Sequence, residues 1–168
     1  MTGVSLERAS ERAPKGALAS CMIPPQFEIA IHARPTSAVE GVERPIHDRP
    51  ARILAVEPAE MNLPFPCSFE ELFERLERIP RFFAEPDGSF VWTGMDDGTN
   101  WQLEGNLYDL HGRVIWVSVK GFCPESRWRQ FIALLGEGSD AGFAIQLLHE
   151  AVYLSQSEFL RWQWDRDC

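Results

Sequence analysis

The sequence predicts an α+β domain with an αβββα-type core, in which a helix precedes a three-stranded antiparallel meander, further helices and a possible late strand. Three observations predict this class. Apolar residues recur at helical spacing across residues 69–79. Two strand patterns then flank a His-Gly turn at residues 111–112. A second helical pattern begins at Pro124, a residue type that suits the first helical position.

Composition divides the chain into two parts. Nine of the twelve prolines lie at or before Pro66, whereas all six tryptophans lie between Trp92 and Trp164. Proline interrupts regular structure, and large aromatic side chains build cores. We therefore expect residues 1–60 to be a Pro-rich, largely disordered or extended N-terminal segment, and residues 61–168 to form a single α+β globular domain.

Two apolar stretches interrupt the N-terminal segment. Phe27–Ala33 and Ala51–Glu57 each fit an edge strand laid on the main domain, and each fits an extended linker equally well. Residues 1–22 are small, charged and without an apolar pattern, which predicts disorder or weak helix. We expect residues 1–22 to be dispensable for folding.

The first helix is predicted after Cys67. Ser68 and Glu71 have the spacing of a capping box, in which each side chain satisfies a free backbone N–H of the other residue. Pro80 limits how far the helix can run. The predicted apolar face consists of Phe69, Leu72, Phe73, Leu76 and Ile79.

The meander follows the first helix. A short strand is predicted at Ser89–Gly94, and a turn at Met95–Asn100 follows it. Asp96 and Asp97 are read as turn residues rather than metal ligands, because Asp and Gly tolerate positive φ.

The next two strands form a hairpin, predicted at Trp101–Leu110 and Arg113–Phe122. The second carries large apolar groups on both faces, which predicts a central strand covered on both sides. Val117 and Val119 are expected to be buried against the helices.

The C-terminal part is expected to be mainly helical. A helix starts at Pro124 and ends at Gly136. A further helix is predicted from about Ser139, with a strand at Phe143–Leu148 as the alternative. A short strand then leads into a last helix, which Ser155 and Glu158 cap. Trp162 and Trp164 cannot both point inward from so short a helix, so at least one is expected on the surface.

Charge and cysteine content limit the classes of function. The formal net charge is −9, and residues 61–168 carry −8 of it. An acidic domain repels phosphate backbones, so nucleic acid is an unexpected partner. Four widely spaced cysteines without a CxxC pair favour reduced thiols and a cytoplasmic protein. No apolar run approaches the roughly 20 residues that span a membrane.

The stretch EGNLYDLHGRVIWVSVKG at Glu104–Gly121 resembles the core motif of restriction-endonuclease-like (PD-(D/E)xK) nucleases. In that family an acid on the second strand is followed on the third by an acid-x-lysine pair. The two acids hold Mg²⁺, and the lysine orients the attacking water. The resemblance places Glu104 at the first acid and Lys120 at the lysine. It covers about twenty residues in motif, and roughly residues 69–154 in order of elements.

The chain departs from that pattern at one position. Ser118 stands where the family has the acid two residues before the lysine, and a hydroxyl binds Mg²⁺ less well than a carboxylate. Asp109 or Glu70 would have to supply the missing carboxylate. A nuclease of this kind would use Glu104, Lys120 and Asp109, and a degenerate, inactive relative fits the same residues.

Two function classes therefore stand side by side. The leading expectation is a small acidic non-catalytic binding or interaction module, with a protein partner, no cofactor and an open oligomeric state. The alternative is the Mg²⁺-dependent nuclease. A cysteine enzyme built on Cys123, which precedes a helix N-terminus, is a weaker third reading.

Overall fold

The computed structural model describes residues 26–137 and 142–165. Within these residues the chain forms nine β-strands, three α-helices and a short 3-10 helix at Pro58–Glu60. The strands are β1 (Phe27–Ala33), β2 (Val39–Ile46), β3 (Arg49–Ala55), β4 (Phe82–Ala84), β5 (Ser89–Asp96), β6 (Thr99–Leu110), β7 (Arg113–Phe122), β8 (Phe143–Leu147) and β9 (Val152–Ser155). The helices are α1 (Phe69–Glu77), α2 (Glu125–Leu135) and α3 (Gln156–Trp164).

Seven of the strands form one antiparallel sheet in the order β4-β5-β6-β7-β1-β8-β9. The expected αβββα-type core is wrong, because strand makes up 48% and helix 24% of the described structure, and the first of its described elements is β1 rather than a helix. The predicted meander is present as β5, β6 and β7, but it supplies fewer than half of the strands.

Strand β1 is the main reason for the correction. Phe27–Ala33 was read as an edge strand or a linker, yet it lies in the interior of the sheet, paired with β7 on one side and β8 on the other. Ile29 and Ile31 are fully buried on one face, and Ala30 is buried on the other. A short strand buried on both faces shows little alternation, so periodicity does not identify it.

The segment after α2 contains a second correction. A helix was expected from about Ser139, but Phe143–Leu147 forms β8, which confirms the strand alternative. Four of its five residues are buried, so the apolar run carries no helical face. The proposed start of that helix at Ser139 lies outside the described residues, as does the N-terminal segment 1–22.

One face of the sheet carries the main core. Val117 and Val119 on β7 are 0% and 1% exposed, as the sequence predicted. They belong to one buried cluster with Leu72 of α1 and Trp128 of α2. Phe159 of α3 lies in the same cluster, so all three helices pack over this face. Ser68 and Glu71 form the predicted capping box at the start of α1.

The other face is covered only in part. The β2–β3 ribbon lies against β9 and α3. Leu54 of β3 and Met61 form a small second cluster with Ala144 of β8. Among the described residues this cover does not extend over Lys120 of β7, which is exposed, so the expectation that β7 is covered on both sides along its length is wrong.

Helix α3 packs both of its tryptophans inward. Trp162 is 9% exposed, and the Trp164 ring lies 5.8 Å from the rings of both Trp128 and Phe159. The expectation that one tryptophan lies on the surface is wrong, since neither is exposed: Trp164 is half-buried against the Trp128 ring, and its Nε1 donates to the Cys123 carbonyl oxygen. Among the described helices, none has the length and apolarity needed to cross a membrane.

Candidate ligand-binding cleft

The open face of the sheet places charged residues in a row across neighbouring strands. Cross-strand pairing aligns Val91 with Glu104, Glu104 with Lys120, and Lys120 with Glu28. Residues opposite one another in antiparallel strands have side chains about 5 Å apart on the same face. The row therefore puts one ammonium between two carboxylates.

Lys120 and Glu104 form an ion pair. Lys120 Nζ lies 3.4 Å from Glu104 Oε1, and the two side chains are 58% and 43% exposed. On the other side of the row, Nε2 of His149 lies 3.1 Å from Glu28 Oε2. Glu28 therefore has an imidazole beside it, while Lys120 takes Glu104 as its partner.

The row borders a cleft of about 530 Å³ on the open face. Phe83 of β4 and Leu148, which are 66% and 38% exposed, line it from opposite ends of the row. Ser89 and Ser118 also line it, and their small side chains leave a depression between taller neighbours. Its charged lining residues are Glu28, Glu85, Glu104 and Lys120.

Ser118 is engaged with the neighbouring strand. The backbone N–H of Asn106 donates a hydrogen bond to Ser118 Oγ, with a distance of 3.1 Å. Strands β6 and β7 approach each other closely here. The position requires glycine, because a Cβ on Gly105 would collide with the Ser118 carbonyl oxygen and the Phe90 ring. Ser118 thus contributes to the sheet as well as to the cleft floor.

Asp109 does not join Glu104 and Lys120. It lies near the far end of β6, five residues beyond Glu104, which corresponds to about 16 Å at the rise of a strand. Its Oδ2 accepts a hydrogen bond from the Gly112 N–H in the β6–β7 turn. The sequence-predicted trio is therefore divided into a pair in the cleft and a turn residue outside it.

The tempting Asp96–Asp97 pair has structural partners. Asp97 has a φ of 51°, as its reading as a turn residue predicted. Asp96 accepts hydrogen bonds from both Nε and Nη2 of Arg127, at 3.2 and 3.1 Å, and from Trp101 Nε1 at 2.6 Å. The hydrogen bond from Arg127 holds the pKa of Asp96 below its usual range. Asp96 thereby ties the end of β5 to α2.

The described ranges 26–137 and 142–165 contain no candidate metal centre. No group of three or more His, Cys, Asp or Glu side chains there is arranged to hold a metal ion. Cys123 is fully buried, and that burial raises the pKa of its thiol. This change is opposite to the lower pKa that its position before a helix N-terminus suggested. A buried thiol of raised pKa is a poor nucleophile.

Sequence reasoning missed His32 of β1, which is buried under Met61 on the covered part of the same sheet face. His32 is 7% exposed; its Nδ1 is 3.0 Å from the Met61 carbonyl oxygen and its Nε2 is 3.2 Å from Gln146 Oε1. Burial lowers the pKa of His32, although both hydrogen bonds oppose that change. The ring also stacks on Trp116, with centroids 6.1 Å apart.

The alternation of β1 carried the only sequence signal for His32. Every second residue of a strand points to the same face of the sheet, so Ala30 and His32 share a face with Glu28. That signal becomes useful only once β1 is known to lie inside the sheet.

Comparisons with known proteins give no relative for this chain: no family model, curated protein or solved structure matches it.

Proposed function

We propose that this protein is a small acidic non-catalytic binding module, and that its cleft accepts a positively charged, extended segment of a protein partner. One observation carries the proposal. An exposed concave part of the sheet combines three carboxylates with a single ammonium and has apolar side chains at both ends. The carboxylates belong to Glu28, Glu85 and Glu104.

Charge favours a cationic side chain as the occupant. The Lys120–Glu104 pair is largely exposed, and exposed pairs contribute only about 0–1 kcal/mol. A Lys or Arg of the partner can therefore replace Lys120 as the ion-pair partner of Glu104 with little loss of free energy. Glu28 offers a second carboxylate on the opposite side of Lys120.

The walls favour a peptide over a compact charged ligand. Phe83 and Leu148 expose apolar surface at the two ends of the charged row, so an extended chain can contact both ends with apolar side chains while a basic side chain faces the acids. Phosphate-bearing polymers are disfavoured because residues 61–168 carry a net charge of −8.

Synthetic peptides test this proposal directly. The probes are short peptides, blocked at both ends, with a central Lys or Arg between apolar residues, and matched peptides with a central norleucine or Glu. The chain has only two lysines, Lys15 and Lys120, so reductive methylation gives a small set of NMR signals. The Lys120 methyl signal should shift with the basic peptides and not with the Glu peptide.

Charge variants supply the decisive contrast, measured by calorimetry. Glu104→Gln should lower the affinity for the basic peptides by about threefold to tenfold. Lys120→Met should raise that affinity by a similar factor, because it removes the repulsion between Lys120 and the basic side chain of the peptide. Glu74→Gln on the exposed side of α1 is the matched control and should change nothing. Three results would refute the proposal. These are equal binding of basic and acidic peptides, absence of binding at about 1 mM, or affinity changes in the same direction in Glu104→Gln and Lys120→Met.

The Mg²⁺-dependent nuclease remains the second candidate, and one observation favours it. Glu104 and Lys120 meet on an exposed face with Glu28 as the next residue in the row. A nuclease would cleave DNA or RNA with Mg²⁺ or Mn²⁺, and both Glu104→Gln and Lys120→Met would stop cleavage. The binding module predicts no cleavage and opposite effects of those two variants on peptide affinity.

A further inference from the structure

We propose that a second copy of this chain pairs with the open edge of β4, antiparallel and about a two-fold axis at Phe83. Strand β4 ends the seven-stranded sheet, and among the described residues only β5 pairs with it. Phe83 and Glu85 also line the peptide cleft, but pairing of the β4 edge does not require peptide binding, and self-association is measured without any peptide present.

The backbone of β4 leaves hydrogen-bonding groups along this edge. Thr93 N–H donates to the Arg81 carbonyl, and Glu85 N–H donates to the Ser89 carbonyl, so the main-chain groups of residues 81, 83 and 85 turn towards β5. By the same alternation the groups of Phe82 and Ala84 turn away from β5. Phe82 N–H donates to Ile79 O at 3.2 Å, which leaves the Phe82 carbonyl and the Ala84 amide directed towards the open side.

An antiparallel second copy fits these groups. With Phe83 opposite the second copy's Phe83, the Ala84 N–H of each chain donates to the Phe82 carbonyl of the other. The two Phe83 residues then form a non-hydrogen-bonded pair, the type in which facing side chains lie closest. Phe83 is 66% exposed in the single chain, so this contact would bury apolar surface that now faces solvent.

The side chains around Phe83 are self-complementary in this register. The sequence Arg81-Phe82-Phe83-Ala84-Glu85 carries opposite charges at equal distances from Phe83. Two-fold pairing therefore sets Arg81 against the second copy's Glu85, and Glu85 against the second copy's Arg81. Both side chains are exposed, and within the described part of the chain neither forms an ion pair.

The same charges select one register. A slip of two residues in either direction places Arg81 or Glu85 opposite Phe83 and breaks both Arg81–Glu85 pairs. In the direction that brings Arg81 opposite Asp87, that carboxylate already accepts hydrogen bonds from Ser89 in the turn after β4. Arg81 has a φ of 62°, so the chain bends there and β4 begins only at Phe82. So short an edge resists non-specific strand addition. The expected dimer is correspondingly weak and salt-sensitive, because its contact area is small.

Charge reversal and mixing test this dimer. Sedimentation over a concentration series at low salt should show reversible self-association of the wild-type chain. Arg81→Glu and Glu85→Arg should each weaken self-association by about tenfold, since each replaces two attractions by two repulsions. Mixing these two variants should restore association, because every Glu then faces an Arg. Phe83→Ser should weaken association in all of these backgrounds.

Arg129→Glu on α2 is the matched control, an exposed arginine outside β4 and the turn before it, and should associate as the wild type does. Three results would overturn the proposal. These are a wild-type chain that stays monomeric at about 1 mM, single variants that associate normally, or a mixture that associates no better than its components. Circular dichroism of each variant confirms that a lost association does not reflect unfolding.

Discussion

The two faces of the sheet use the same strand for different purposes. On β7, Val117 and Val119 are almost completely buried beneath the helices, whereas Lys120 points to the open face and is largely exposed. Ser118 lies between the two valines in sequence, but its side chain lines the cleft on the open face. The comparison shows that the helix-covered face stabilises the domain, and that the open face can carry polar groups because little packs on them.

The difference lies in what surrounds each side chain. A buried valine is shielded from water by its neighbours, and these neighbours cannot fill the cavity that a substitution by alanine leaves. A cleft residue keeps solvent beside it, so water replaces whatever is removed. Equal substitutions on the two faces should therefore have unequal costs.

The largest expected effect contrasts two valines. Val117→Ala on the covered face should reduce the free energy of unfolding by about 1–3 kcal/mol, through lost burial and a residual cavity. Val91→Ala removes the same two methyl groups from the cleft side and should cost less than about 1 kcal/mol. Urea unfolding monitored by tryptophan fluorescence measures both. Equal costs, or a cost below about 0.5 kcal/mol at Val117, would mean that the two faces are not distinct.

A smaller effect concerns the covered part of the second face. Burial lowers the pKa of His32 from its ordinary value of 6.5, so the folded state favours the neutral ring and the unfolded chain binds the proton more readily. The stability that depends on neutral His32 is fully present above pH 6.5. It is lost progressively as the pH falls below 6.5, because the unfolded chain then binds the proton that the folded state resists. Thermal unfolding of the wild-type chain across this range should show that loss.

His32→Gln isolates this contribution. The variant should lack the His32-dependent part of the pH slope, whatever its stability at neutral pH. His47 and His149 pair with glutamates on the surface and remain in both proteins, so they act as an internal control. An unchanged slope below pH 6.5 would show that His32 does not control it.

Sequence patterns predicted local elements better than their assembly. The capping box of α1 and the β6–β7 hairpin were identified because each depends on residues close together in the chain. Strand β1 was predicted only as an edge strand or a linker, and its interior position was missed, since its partners lie more than eighty residues away in β7 and β8. The expected helix at β8 failed for a related reason: burial on both faces removes the alternation that marks a strand.

The same division applies to the cleft. The hairpin register was enough to bring Glu104 next to Lys120, and the structure places them 3.4 Å apart. Glu28 and Phe83 were missed because they come from β1, which was predicted only as an edge strand or a linker, and from β4, which was not predicted. Asp109 was included on sequence distance alone, and the turn at Gly112 holds it elsewhere.

The smallest expected effect lies at the centre of the cleft. Lys120 and Glu104 are roughly half exposed, so solvent screens their attraction and side-chain entropy opposes it. Lys120→Met should leave the free energy of unfolding within about 1 kcal/mol of the wild type. A double-mutant cycle with Glu104→Gln should give a coupling energy below about 1 kcal/mol. A coupling of about 2 kcal/mol or more would contradict this, because only a desolvated pair reaches that size. Weak coupling is also what the binding proposal requires, since a strongly paired Glu104 could not exchange Lys120 for the cation of a partner.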